Sequence, residues 1–196
     1  MKHFLLTTAL FCSVFLCTSQ NQINDIEKRV TSKIDSTYTS ELTLIQEFIV
    51  NVPVDSVFTA YSTKKGWESW AVAIAEVDFK INGTIKTNYN KDGKIGDATT
   101  IYLNIKNHVP NKLITLQAEL SEHFPEFMKA DEKNLYNIIY FEAINDSTTK
   151  VTSYGIGYKN NQKYKALMKF FITGNEKSYI NLITYLETGK PVKIAY

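Results

Sequence analysis

Only one stretch of this chain can form a long amphipathic helix, and it comes last, from Gln162 to Glu187. Tyr164, Leu167, Met168, Phe171, Ile172, Tyr179, Leu182, Ile183 and Leu186 recur along it at steps of mostly three or four, which sets them on one stripe. Most of what precedes it reads as strands. Leu42–Val50, Ala75–Phe79, Thr84–Tyr89, Ala98–Val109, Leu113–Leu120, Leu135–Ala143 and Lys150–Tyr158 hold the β-branched and aromatic residues. Turn residues separate them, among them Ile81-Asn82-Gly83-Thr84, Asn90-Lys91-Asp92-Gly93-Lys94, Pro110-Asn111 and Asn145-Asp146-Ser147. Successive hairpins give an antiparallel sheet with one face for the core. That face needs a cover, and only the last helix is long enough to be one. Gly174 interrupts the stripe. A glycine there costs about 1 kcal/mol against alanine, so the helix is expected either to break or to approach another backbone.

Two short helices are expected after the first of these strands. Pro53 suits a first helical turn, where its missing N–H would have had no partner. Val54, Val57, Phe58 and Tyr61 then share a face. Trp67 and Trp70, three apart, share a face of a second short helix.

The 196 residues suit one domain behind a leader. Lys2, the apolar run Phe4 to Cys17 and the small residues Thr18-Ser19 follow the order of an export signal. The expected organisation is a signal peptide at 1–19, a polar N-terminal segment at 20–40 and a domain at 41–190. In the polar segment Ile23, Ile26, Val30 and Ile34 form a weak stripe, read as a short helix or a tether. Export to the periplasm or medium follows, with no transmembrane span in the mature form. Lipidation at Cys17 is disfavoured because bulky Leu16 stands where a small residue is needed. Both cysteines, Cys12 and Cys17, fall in the leader. The mature chain would then have no disulfide, thiol nucleophile or thiolate metal site. A net charge of +2 gives no argument for nucleic acid.

A series of short motifs runs through the domain. Val52-Pro53 with Val57-Phe58 leads to Trp67-Glu68-Ser69-Trp70, then to Val77-Asp78-Phe79 and Gly83-Thr84-Ile85. Ile95-Gly96-Asp97, His123-Phe124-Pro125, Thr149-Lys150-Val151, Gly157-Tyr158 and Phe170-Phe171 with Gly174-Asn175 continue it. In order and spacing the series resembles the START-like (SRPBCC) superfamily over roughly Tyr38 to Leu186. The likeness is to an exported bacterial branch, related to the polyketide cyclase and heat-shock chaperone ATPase activator-like families. It implies an α+β helix-grip fold: a curved antiparallel sheet wrapped around a long C-terminal helix, with two short helices after the first strand. The chain departs from many relatives in having a single glycine, Gly83, before Thr84. The resemblance brings no catalytic residue, because its members include lipid carriers, cyclases and hormone receptors, and fold does not fix function.

The polar residues point to little chemistry. Of three histidines, His3 belongs to the leader, and His108 and His123 lack ligand spacing, so no metal is expected. Glu119/Glu122 and Asp131/Glu132 read as charged surface rather than acid–base pairs. Gly93-Lys94-Ile95-Gly96 sits between strands, not before a helix, and reads as a turn rather than a phosphate clamp. Lys159, Lys163, Lys165 and Lys169 read as a solvated face.

The strand at Val151–Tyr158 is more informative. Strict alternation puts Val151, Ser153, Gly155 and Gly157 on one face and Thr152, Tyr154, Ile156 and Tyr158 on the other. Either the small face lies under the helix and leaves volume, or the aromatic face packs inward and the glycines let the sheet bend. The resemblance favours the first. On that reading Leu167, Met168 and Phe171 face Ile139, Phe141, Val151, Ser153 and Gly155 across a pocket of a few hundred cubic ångströms, with Trp70 on its wall. Its expected occupant is a small apolar or amphipathic molecule, with no cofactor. A cyclase- or hydrolase-like enzyme using His123 or Tyr140 in the same cavity is the alternative. A protein-binding module like the chaperone-ATPase activators is a third reading; export argues against it, since that chaperone is cytosolic.

Overall fold

The structure is a computed structural model that describes residues 29–192. The expected leader, both cysteines, Ile23 and Ile26 lie outside the described residues. In chain order the elements are β1 (Val30–Asp35), β2 (Glu41–Val50), α1 (Val54–Ser62), α2 (Lys64–Trp70), β3 (Ile74–Val77), β4 (Thr84–Asn88), β5 (Ile101–Val109) and β6 (Leu113–Ala118). Then come α3 (Glu126–Lys129), a 3-10 turn (Glu132–Asn134), β7 (Tyr136–Asn145), β8 (Thr148–Lys159) and α4 (Gln162–Thr188). Eight strands form one sheet in the order β1-β2-β8-β7-β6-β5-β4-β3, and every neighbouring pair is antiparallel. The sheet is curved and holds α4, the helix-grip arrangement.

Local chemistry sets the helix ends. Pro53 precedes α1, and Thr63 closes it in extended conformation. The Thr63 hydroxyl then accepts from the Gly66 amide at 3.0 Å and starts α2. Asn161 does the same for α4, its Oδ1 accepting from the Tyr164 amide at 3.0 Å. Gly189, at φ 67°, ends α4 in the left-handed region. Arg29 ties that end to the sheet: its guanidinium donates to both Glu187 carboxylate oxygens at 2.7 Å, and the Asn51 amide donates to Glu187 at 2.9 Å.

Two expectations change. The segment holding Val30 and Ile34 is neither helix nor tether but strand β1, paired with β2 from Val30↔Phe48 to Asp35↔Thr43. The edge of β2 offers unpaired backbone groups, and that tertiary demand overrides a four-residue apolar stripe too weak to hold a helix. Gly174 neither breaks α4 nor meets another backbone: the helix runs through it, and a Cβ there would meet nothing within 4 Å. Gly174→Ala should therefore stabilise the protein by about 0.5–1 kcal/mol, read as a higher urea midpoint at unchanged slope.

Gly93-Lys94-Ile95-Gly96 belongs to the loop between β4 and β5. Asp97 organises it, accepting from the Lys94 amide at 2.8 Å and the Thr99 amide at 2.9 Å. These bonds, the Lys94 amide first, pull the Asp97 carboxyl down to about 2. The amide a phosphate would need is already taken by a carboxylate.

The apolar interior forms two clusters. The larger joins the sheet to α1, α2 and the C-terminal half of α4 through Phe48, Val57, Trp70, Ile85, Phe141 and Leu182. The smaller gathers Leu42, Leu44, Met128, Leu135, Tyr164 and Met168 around the start of α4.

Candidate functional site

A half-open space lies between the two clusters. Its larger lobe, about 260 Å³, is bounded by Tyr61, Trp67 and Trp70 from α1 and α2. Leu103, Leu116 and Ile139 form its sheet side, and Ser178 and Tyr179 of α4 lie across from them. A second lobe of about 190 Å³ is bounded by Leu44, Gln46, Phe124, Ser153, Gly155 and Phe171. Ala118, Leu120, Met128, Asn137, Tyr158 and Asn175 border both.

Both tryptophans are pinned. Trp67 Nε1 donates to the Tyr61 carbonyl at 2.7 Å and Trp70 Nε1 to the Ala60 carbonyl at 3.1 Å. Gly66 makes this possible: a Cβ there would lie 2.4 Å from the Ala60 carbonyl oxygen, so glycine lets α2 close on α1.

A β-bulge shapes the opposite wall. Leu42 pairs with Tyr158 but Leu44 pairs with Gly155, so β8 carries one extra residue. Gly157, at φ 85°, sits in that irregularity, and a Cβ on it would lie 1.8 Å from the Asn134 carbonyl oxygen. The extra residue inverts the alternation beyond it. Tyr158, expected with Thr152, Tyr154 and Ile156, instead borders the cavity. Its ring lies 3.1 Å from where a Gly155 Cβ would be, so part of the volume expected over the small residues is filled by Tyr158.

Of the residues expected around the pocket, Trp70, Ile139, Ser153, Gly155 and Phe171 border the two lobes, while Phe141, Val151, Leu167 and Met168 do not. Phe141 and Val151 belong to the larger cluster. Phe141 is covered by α1, against Phe58 (centroids 5.8 Å) and Tyr61 (5.4 Å), not by the last helix. Met168 is fully buried, and Leu167 packs with it, in the smaller cluster. None of the polar wall residues Tyr61, Asn137, Asn175, Ser178 and Tyr179 was expected at the pocket. Tyr61 and Tyr179 were visible only as members of apolar stripes, which cannot separate core from cavity.

The enzyme candidates lie elsewhere. Tyr140 is 45% exposed and packs edge-on to Tyr154, 5.8 Å between centroids. His123 is exposed in the loop before α3. His108, just past an irregularity in β5, packs against Phe79 with centroids 4.7 Å apart and rings tilted by 42°. Among the described residues no cluster of His, Cys, Asp and Glu could hold a metal ion.

The walls are polar in places but carry no charge: no Lys, Arg, His, Asp or Glu borders either lobe among the described residues. The Ser153 hydroxyl donates to Asn137 Oδ1 at 2.9 Å. Asn175 Nδ2 donates to Gln46 Oε1 at 2.7 Å, and Gln46 Nε2 donates to Ser32 at 2.9 Å. Burial raises the phenols of Tyr61 and Tyr179 and pushes Tyr158 up to about 12, so all three stay protonated at neutral pH.

The loop that closes one end, with Leu120, Met128 and Leu135, is latched by Asp131. Lys159 Nζ donates to Oδ1 at 2.6 Å and the Tyr164 hydroxyl to Oδ2 at 2.9 Å. The Lys159 hydrogen bond above all, then that of Tyr164, holds the Asp131 carboxyl below its ordinary 3.8. A lowered folded value means stabilisation that is present above 3.8 and lost as pH falls through the folded value. Asp131→Asn should cost about 1–2 kcal/mol near neutral pH. Its melting deficit against the wild type should shrink on acidification below 3.8; a deficit constant with pH would deny the latch its charge.

The family described as "Activator of Hsp90 ATPase homolog 1-like protein" matches residues 51–187, from the end of β2 almost to the end of α4. The chain belongs to this family. The START-like (SRPBCC) superfamily assignment stands with it. Solved structures share the fold, three of them as follows. The Aha1 dimer from Colwellia psychrerythraea is 16% identical at TM-score 0.56, covering 76% of this chain and 98% of that one. CalU16 from Micromonospora echinospora is 13% identical at 0.56, covering 83% and 85%. A conserved protein of unknown function from Enterococcus faecalis is 11% identical at 0.59, covering 91% and 90%. At these identities the likeness is one of fold. No protein of curated function matches the chain by sequence.

Proposed function

We propose that this Hsp90-activator-like family member is an exported binding protein that holds a small apolar or amphipathic molecule between the sheet and α4. One observation carries the reading: a half-open, uncharged space bordered by aromatic and aliphatic side chains, among them Tyr61, whose hydroxyl is buried without a partner. Sites of this kind bury most of a small ligand and orient it with a few polar groups. Catalysis is not needed to account for it. Neither His123 nor Tyr140 borders the cavity, and among the described residues no nucleophile with a neighbouring base does. Export rests on the order of Lys2, the apolar run and Ser19, and would bring the protein to its ligand outside the cytosol.

Native mass spectrometry of protein purified from its own host tests the reading. A co-purifying small molecule, released on denaturation, is the expected result, on a chain whose intact mass lacks residues 1–19. Empty protein that also fails to take up a neutral apolar fluorophore would overturn it.

A further inference from the structure

Tyr61 lies in the last turn of α1, 2% exposed, on the wall of the larger lobe. Its hydroxyl is buried without a hydrogen-bond partner and closed to water-sized space as the ring lies, so an acceptor reaches it through a small shift of the ring. Buried polar groups are nearly always paired, and an exception calls for an explanation. Several neighbours on the same walls are satisfied. Ser153 and Asn137 bond each other, Asn175 bonds Gln46, and both indole N–H groups are held by backbone carbonyls. Tyr61 stands out from them as a donor without an acceptor.

The surroundings restrict what can meet it. An anion brought here would lose its water and gain no counter-charge, because no cationic side chain borders either lobe among the described residues. A cation would find no carboxylate. The rings offer little compensation: Trp67 and Trp70 stack on each other at 5.3 Å, and Tyr61 packs edge-on to both, so these faces are spent on one another rather than turned to a cage.

We propose that the molecule held in this cavity is uncharged and carries a hydrogen-bond acceptor, such as a ketone or ester carbonyl, seated on the Tyr61 hydroxyl. The inference rests on the cavity reading above and adds the class of its occupant. Tyr61 is then the specificity-determining residue, and the apolar walls supply affinity without selecting among neutral molecules of similar shape. A site built to donate one hydrogen bond rejects an analogue that lacks the acceptor, because the buried donor is again unpaired.

Three naphthalenes of nearly equal shape test this: acetylnaphthalene, ethylnaphthalene and naphthoate. Quenching of Trp67 and Trp70 reads binding, since both tryptophans of the chain border the cavity. The ketone should bind roughly tenfold more tightly than the hydrocarbon, the size of one net hydrogen bond. Naphthoate, charged at neutral pH, should bind more weakly than either. Tyr61→Phe should bring the ketone down to the hydrocarbon's affinity and leave the hydrocarbon within about twofold. The same variant should melt no lower than the wild type, because it removes an unpaired hydroxyl and keeps the ring. A ketone no better than the hydrocarbon, an unchanged ketone affinity in Tyr61→Phe, or preference for naphthoate each overturns the inference while the cavity reading stands. If none of the three binds, both fall together.

Discussion

Gly157→Ala should destabilise the protein by about 3–4 kcal/mol, toward the top of what one substitution does. Two costs add at this position. The residue sits at φ 85°, where a side chain is strained in any surroundings. Its Cβ would also lie 1.8 Å from the Asn134 carbonyl oxygen, a backbone atom that cannot step aside as a flexible side chain would. Gly96→Ala separates the two. Gly96 has φ 97° but open space around it, so its loss should show the conformational cost alone, about 1–2 kcal/mol. Urea unfolding followed by tryptophan fluorescence measures both. Equal losses at the two sites would mean that β8 does not approach Asn134 in solution.

The same glycine shows where reading the sequence stopped. The order of strands and helices was legible because hydrophobic period and turn residues are local signals. So was the covering role of α4, because only one stretch was long enough. Pairings such as Leu42↔Tyr158 are not local. A bulge leaves almost no trace in composition, yet it moves every residue past it to the other face. Alternation through Val151–Tyr158 was therefore right as far as Ile156 and wrong for Tyr158. Strand β1 was hidden for a related reason: Val30 and Ile34 become a strand only because the β2 edge is there to pair with.

The site was legible in part. Trp70, Ile139, Ser153, Gly155 and Phe171 could be placed near one another from the resemblance and the pleat. Phe141 and Val151 could not be assigned correctly, because which helix covers which end of a sheet depends on chain path. Residues Val54–Ser62 run over β7 and β8 and fill the region that α4 was expected to cover. The polar wall was the least visible. Tyr61 and Tyr179 occupy apolar positions on their helices, and only the three-dimensional arrangement shows that the Tyr61 hydroxyl is buried without a partner.

Ala118→Phe should abolish uptake of a neutral fluorophore such as N-phenylnaphthylamine while the fold survives. Ala118 is on β6, opposite Leu103 of β5, and borders both lobes. A benzyl group placed there enters space of about 260 Å³ on one side and about 190 Å³ on the other, so it can be accommodated without displacing the sheet. Filling a real cavity adds apolar contacts, and the melting temperature should hold or rise. Overpacking a solid core has the opposite signature, a loss of about 1–3 kcal/mol. Leu116→Phe is a poor substitute, since Leu116 is already part of the larger cluster and tests packing as much as volume. Binding loss with retained stability would assign the volume to the ligand. Stability loss with probe uptake unchanged would mean that the fluorophore binds elsewhere and that these lobes close in solution.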